Sequence, residues 1–185
     1  MNAMDLLLNR YSATKLGPPG PDQPTLDAIL RAALRAPDHG RLRPWEFIVI
    51  PEERREAFGE VLAGSLHARQ PDAPEEELAR ERAKALRAPV IVVAAAKLQP
   101  GHKIPEVEQL LSAGAAAENV MLAAQAAGFG AMWKTGGPAY DPMVKRAFGL
   151  SEHDAIVGFL YIGTETGGAS PARRPEPAEH VRVWA

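Results

Sequence analysis

Helical and strand-like segments alternate along the chain, with no internal repeat and no linker dividing it, which predicts an α/β or α+β sandwich of helices packed on a sheet. Three observations carry this. Residues 89–96 (PVIVVAAA) form a near-continuous apolar run, the mark of a strand covered on both faces. Leu26, Ile29, Leu30, Ala33 and Leu34 recur at i, i+3, i+4, i+7 and i+8, the period of an amphipathic helix. Hydrophobic residues at 46% and charged residues at 24% exclude a disordered or fibrous chain, and 185 residues suit one domain spanning 1–185 with its own core.

Residues 4–10 begin the chain as a short helix. After the break at 17–21 comes a helix over 22–35, with Pro24 in its first turn and Pro37 just beyond its end. Residues 45–50 are aromatic and β-branched and stop at Pro51, so they read as a strand. A helix from about 53 to 66 follows. Residues 67–74 are polar with two prolines and 75–86 are charged and helical, which makes 67–87 a candidate mobile or lid-like excursion. After the 89–96 strand, residues 106–127 form a long helix closed by Gly128. Ser112, Gly114, Ala115, Ala116 and Ala117 leave that helix little bulk, so it is central or at an interface. Residues 130–134 are a short strand, 141–148 a short helix capped by Gly149, and 155–164 (AIVGFLYIGT) the last strand. The segment from 165 to 185, rich in Gly and Pro at 167–177, is expected to run extended over a surface.

A formal net charge of -2 favours neither nucleic acid nor an anionic membrane, so any anion site is local. The absence of cysteine excludes disulfides, iron-sulfur and cysteine-zinc sites and thiol nucleophiles. No basic region precedes the apolar run Leu6 to Leu8, and 110–133 is mostly alanine interrupted by Glu118, Asn119 and Gln125, so a soluble, cytoplasmic protein without a membrane partner is expected.

Polar side chains gather where elements end. Arg10 and Ser12 follow the first helix, Arg35 ends the second, and His39, Arg41 and Arg43 precede the first strand. Guanidinium, hydroxyl and backbone N–H groups suit a phosphate, although exposed arginines also simply solvate helix ends. Trp133, Lys134 and Thr135 close a strand beside Gly136 and Gly137, where backbone approaches a ligand closely. Asp38-His39 with Ser12 or Ser65 lacks a Gly-x-Ser-x-Gly elbow, and His102 with Glu106 and Glu108 lacks a second histidine at zinc spacing. Neither Gly-x-Gly-x-x-Gly nor Gly-x-x-x-x-Gly-Lys occurs where a nucleotide fold needs it, so NAD as a permanent cofactor is not expected.

Together these pieces resemble the FMN-dependent nitroreductase family, in its small single-domain YdjA-like branch, over almost the whole chain. The resemblance runs through Asn9-Arg10-Tyr11-Ser12, Arg35-Ala36-Pro37-Asp38-His39 and Pro44-Trp45. It continues through Glu108-Gln109, Ser112-Ala113-Gly114, residues 119–124 leading to Gly128-Phe129-Gly130, Trp133-Lys134-Thr135 and residues 158–164. It implies an α+β fold with a mixed sheet sandwiched by helices, a homodimer with extended C-terminal tails, and FMN held by Arg10, Tyr11, Ser12, Arg35, His39, Trp133, Lys134 and Thr135. Arg173 resembles a C-terminal basic residue placed near the phosphate in larger members. Tyr11 stands where a basic residue is common and Arg43 where a glutamine is usual.

The same resemblance implies an oxidoreductase that passes electrons from NAD(P)H through FMN to a nitroaromatic, a quinone or a similar acceptor in ping-pong order. No protein residue is then catalytic, since flavin N5 carries the chemistry. Two rivals are kept: a flavin storage or sensor module without efficient turnover, and a histidine- or metal-assisted phosphoester hydrolase built on His39, His102 and Glu106.

Overall fold

The computed structural model of the chain describes residues 2–168 and 174–184. Helix α1 (Ala3–Leu8) starts at Asn2, whose side chain accepts from the Asp5 N–H at 2.9 Å. A two-residue strand β1 (Leu16–Gly17) follows, too short for any alternation to announce it. Helix α2 (Gln23–Ala33) is capped by Asp22, which accepts from the Thr25 N–H at 3.0 Å, and Pro24 in its first turn displaces no needed donor.

The four strands read from the sequence are all present as β2 (Trp45–Ile50), β3 (Val90–Ala96), β4 (Gly130–Lys134) and β5 (Ala155–Glu165). Strand β5 is the hub: it pairs with β3, with β4 and, at its last residues, with β1, while β2 lies outside β3. The α+β class and the helix-covered sheet hold. As to strand direction, every pairing among the described residues is antiparallel.

Alternation along β3 and β5 divides their side chains between two cores. On one face Val92, Ala94, Leu160 and Ile162 meet Leu26, Ile29 and Ala33 of α2 and Ala117, Val120 and Ala124 of the long helix α5 (Glu106–Ala126). On the other, Ile91, Val93, Phe159 and Tyr161 meet Phe58 and Leu62 of α3 (Arg55–Arg69) and Val144. Residues 67–87, the expected excursion, run from the end of α3 through α4 (Glu75–Ala83), which has no buried residue and forms a helical hairpin with α3. Gly59 permits its docking, since a Cβ there would lie 2.9 Å from the Arg82 carbonyl oxygen, and Arg82 donates to Glu60 at the same crossing.

Two one- to two-turn helices, α6 (Gly137–Tyr140) and α7 (Pro142–Ala147), lead from β4 towards β5, the first of them unannounced by periodicity. Gly128 at φ +87° supplies the left-handed turn that ends α5 and releases β4. Among the described residues no helix is long and apolar enough to cross a membrane. Residues 174–184 carry a short turn at Pro177–Glu179 and remain exposed.

Candidate active site

The predicted site residues fall into three groups. The first lies after α1. Arg10 is half-buried, with its Nε 3.5 Å from Glu118 of α5, and Arg174 donates from Nη2 to the Arg10 carbonyl oxygen at 2.7 Å. Ser12 is exposed beside it, and the Tyr11 hydroxyl donates to Glu165 at the end of β5. That bond, with burial and the carboxylate charge, holds the Tyr11 hydroxyl above its ordinary value, so it serves as a neutral donor. Arg173 lies outside the described residues; its neighbour Arg174 is the tail guanidinium seen at Arg10.

The second group is the loop before β2. His39 Nδ1 is 2.6 Å from Glu108 of α5, and the Ser112 hydroxyl donates to the Pro37 carbonyl oxygen at 2.6 Å. Arg35, Arg41 and Arg43 are exposed, and Arg41 and Arg43 have φ of 55° and 50°, a left-handed backbone unusual for arginine. The Asp38 carboxylate steadies this turn by accepting from the Arg43 N–H at 2.8 Å.

The third group closes β4. Trp133 lies on the α5 face, donating from Nε1 to the Val157 carbonyl oxygen at 3.2 Å, and its indole occupies the space over Gly158, where a Cβ would come 2.1 Å from that nitrogen. Lys134 and Thr135 line the opposite side, a cavity of about 250 Å³ whose apolar walls are Phe58, Leu62 and Phe159. Lys134 and Arg87 also line an adjoining cavity of about 440 Å³ with Thr14 and Lys15.

Among the described residues the three groups line different cavities. His39 lines a groove with Glu108 and Leu111, Tyr11 a small recess with Met121 and Phe129, and Lys134 the paired cavities. Glu108 and Glu118, which hold the loop and the Arg10 groups, are ten residues apart, about 15 Å along α5. The metal and hydrolase sets do not assemble either: Glu108 is engaged by His39, and His102 Nδ1 accepts from the Ile104 N–H at 3.0 Å. Ser65 is buried inside α3 and Ser12 is exposed.

Sequence reasoning missed Lys15, Lys84 and Arg87, which surround Lys134, and Glu118 and Glu165, which hold Arg10 and Tyr11. Spacing held no signal for the first three, because the hairpin and the strand pairing bring them together. Glu118 had one: a charge in an otherwise alanine-rich helix.

Comparison with known proteins bears on this arrangement. The family model described as the nitroreductase family matches residues 7–164. The chain belongs to the nitroreductase family. Within that oxidoreductase family it stands in the YdjA-like branch: it is 43% identical over 186 residues to the "Putative NAD(P)H nitroreductase YdjA" of Escherichia coli strain K12, with 100% of both chains covered. The nitroreductase-like family protein from Bacillus cereus superposes with a TM-score of 0.85 at 24% identity, covering 100% of this chain and 96% of that one. A nitroreductase with bound FMN from Bacteroides fragilis gives a TM-score of 0.73 at 20% identity, covering 100% of both. At these identities the two solved structures speak for the fold.

Proposed function

We propose that this nitroreductase-family chain is an NAD(P)H-dependent FMN oxidoreductase acting as a homodimer on a small electron-poor acceptor. The observation that carries the reading is the donor set itself. Arg174 donates from its guanidinium to the Arg10 carbonyl oxygen, so the tail brings a second guanidinium to the segment that carries Arg10 and Ser12, the donor types a phosphate monoester requires. Thr14 and Lys15, just beyond Ser12, reach the paired cavities, where four cations stand against apolar and aromatic walls, the chemistry that suits a flat ring with an electron-rich carbonyl edge. The residues present therefore fit FMN.

In this reading Arg10, Ser12 and the C-terminal basic pair Arg173 and Arg174 hold the phosphate. Tyr11 orders that end by donating to Glu165, and Lys134, Thr135 and the backbone at Gly136 orient the ring. Lys15, Lys84 and Arg87 stabilise negative charge at its polar edge. When bound there, FMN would supply the redox chemistry between NAD(P)H and a nitroaromatic, quinone or similar acceptor in ping-pong order.

Neither Arg35 nor His39 lines the cavities at Lys134, and in this reading a second copy brings them to a neighbouring site. Helix α5 exposes Val107, Leu110 and Leu111 at 61%, 40% and 67%, and Gly114 faces open space, so a partner helix can approach this stripe. Val183 and Trp184 of the tail are 91% and 95% exposed, apolar anchors that a partner would cover.

Purified protein should be yellow, and NADH or NADPH should bleach it anaerobically; a colourless chain that takes up no FMN overturns the reading, and bound flavin that neither reductant bleaches leaves a storage or sensor module. Arg10→Ala should weaken FMN binding by about 10- to 100-fold, the loss of one charge-assisted bond, while the apoprotein melts as before. Deleting residues 178–185 should weaken dimerisation and flavin retention together. A sedimentation experiment in which the full chain runs as a monomer holding stoichiometric FMN would remove the dimer from this proposal.

A further inference from the structure

Tyr161 stands at the middle of β5, 3% exposed, and among the described residues its hydroxyl has no hydrogen-bond partner. Unlike the sealed and unpartnered Glu81 Oε2, this hydroxyl is not closed off inside the core and opens onto the cavity beside it. The side chain lines the cavity that Lys84, Arg87, Lys134 and Thr135 also line, with Phe58 and Phe159 as its apolar neighbours. Antiparallel pairing explains the placement. Tyr161 lies opposite Met132 and Phe159 opposite Lys134, so all four side chains project to the same face of the sheet.

We propose, resting on the FMN reading above, that the Tyr161 hydroxyl is a positioning residue of the flavin site, donating a hydrogen bond to a carbonyl oxygen on the polar edge of the ring. A neutral donor on the floor complements the cations on the rim. Lys84 and Lys134 attract the edge with little directional demand, whereas a phenol held on a strand defines one direction. Burial, modulated by the charges of Arg87 and Glu81, pushes the Tyr161 hydroxyl up to about 12, so it keeps its proton throughout the working range.

One protein group competes for the same hydroxyl. Glu81 of α4 has one carboxylate oxygen engaged by Lys84, while its Oε2 is buried without a partner. If the phenol served Glu81, its role would be to fasten the helical hairpin to the sheet.

Tyr161→Phe separates these roles, because it removes the hydroxyl and keeps the ring. In apoprotein titrated with FMN and followed by flavin fluorescence, the variant should bind about fivefold more weakly than wild type. Its bound flavin should have a shifted visible absorption maximum and a lower midpoint potential, since a donor to the reduced ring is lost. The melting temperature of the apoprotein should not change.

A variant matching wild type in FMN affinity, spectrum and potential overturns the inference. If only the melting temperature falls, the hydroxyl belongs to Glu81; if only the KM for the acceptor rises, it belongs to the acceptor. A wild-type chain that binds no FMN overturns the functional reading and this inference with it. A wild-type chain that binds FMN while Tyr161→Phe is indistinguishable from it overturns this inference alone.

Discussion

The two faces of the sheet are built differently. On the α2 and α5 face small and branched aliphatic side chains close the space: Ile29 is 1% exposed, and Ala33, Val120, Leu160 and Ile162 are fully buried. On the α3 face aromatic side chains leave gaps. Phe58 packs against Phe148 and Phe159 with ring centroids 5.5 and 5.6 Å apart, and beside them the cavity at Lys134 stays open. The alanine-rich helix α5 lies close on its face and fills it, whereas on the other face Phe58 and Phe159 border the cavity at Lys134 without filling it. On the proposed FMN reading the first face serves stability and the second recognition.

That division can be broken most directly by Leu160→Ala on the filled face. Removing a fully buried leucine where neighbours cannot collapse should cost about 3 kcal/mol in denaturant unfolding, with FMN affinity per folded molecule unchanged. A cost under about 1 kcal/mol would mean that this face is loosely packed as well.

Two buried polar groups sharpen the contrast. Asp154, just before β5, is 2% exposed and fully engaged, accepting from the Leu98 N–H at 3.2 Å and the Ser151 N–H at 2.7 Å, with Lys97 Nζ 2.9 Å away. Tyr161, seven positions further on and inside β5, has no protein partner among the described residues. Burial works against the Asp154 charge, but the bonds from Lys97 and Ser151 outweigh it and hold the carboxyl below its ordinary 3.8. A depressed carboxyl contributes stability that is complete above the unfolded value and is lost as pH falls through the folded one. Asp154→Asn should therefore destabilise by about 2 kcal/mol at neutral pH, and the gap from wild type should narrow as urea midpoints are taken below pH 3.8. A gap constant with pH would show that shape, and not charge, matters at this position.

The smallest effect is expected on the open face. Phe58→Leu should cost about 1 kcal/mol, because a side chain bordering a cavity loses fewer contacts than one in a closed core. Its FMN affinity should nevertheless change, reversing the pattern of Leu160→Ala. If Phe58→Leu proves as destabilising as Leu160→Ala with FMN affinity intact, the two faces do not divide the work.

Local rules made much of the fold legible. Trp45–Ile50 and Gly130–Lys134 are strands over the same residues that their composition marked, and Asp22 with Pro24, Gly128 and Gly149 set helix ends where cap chemistry places them. Each is decided by φ preference, period or a cap within a few residues. Strand β1 and helix α6 were not legible, because two residues show no alternation and one turn shows no period.

The candidate site divides in the same way. Arg10, Ser12, His39, Lys134 and Thr135 stand at element ends, and element ends are visible in sequence, so these residues and the family were within reach of it. The partners Glu118, Glu108 and Glu165, the ring of Lys15, Lys84 and Arg87 about Lys134, and the placement of Tyr161 beneath them were decided only by tertiary structure. Those contacts join residues tens of positions apart, and strand register and helix docking, which depend on the whole core, determine which of them meet.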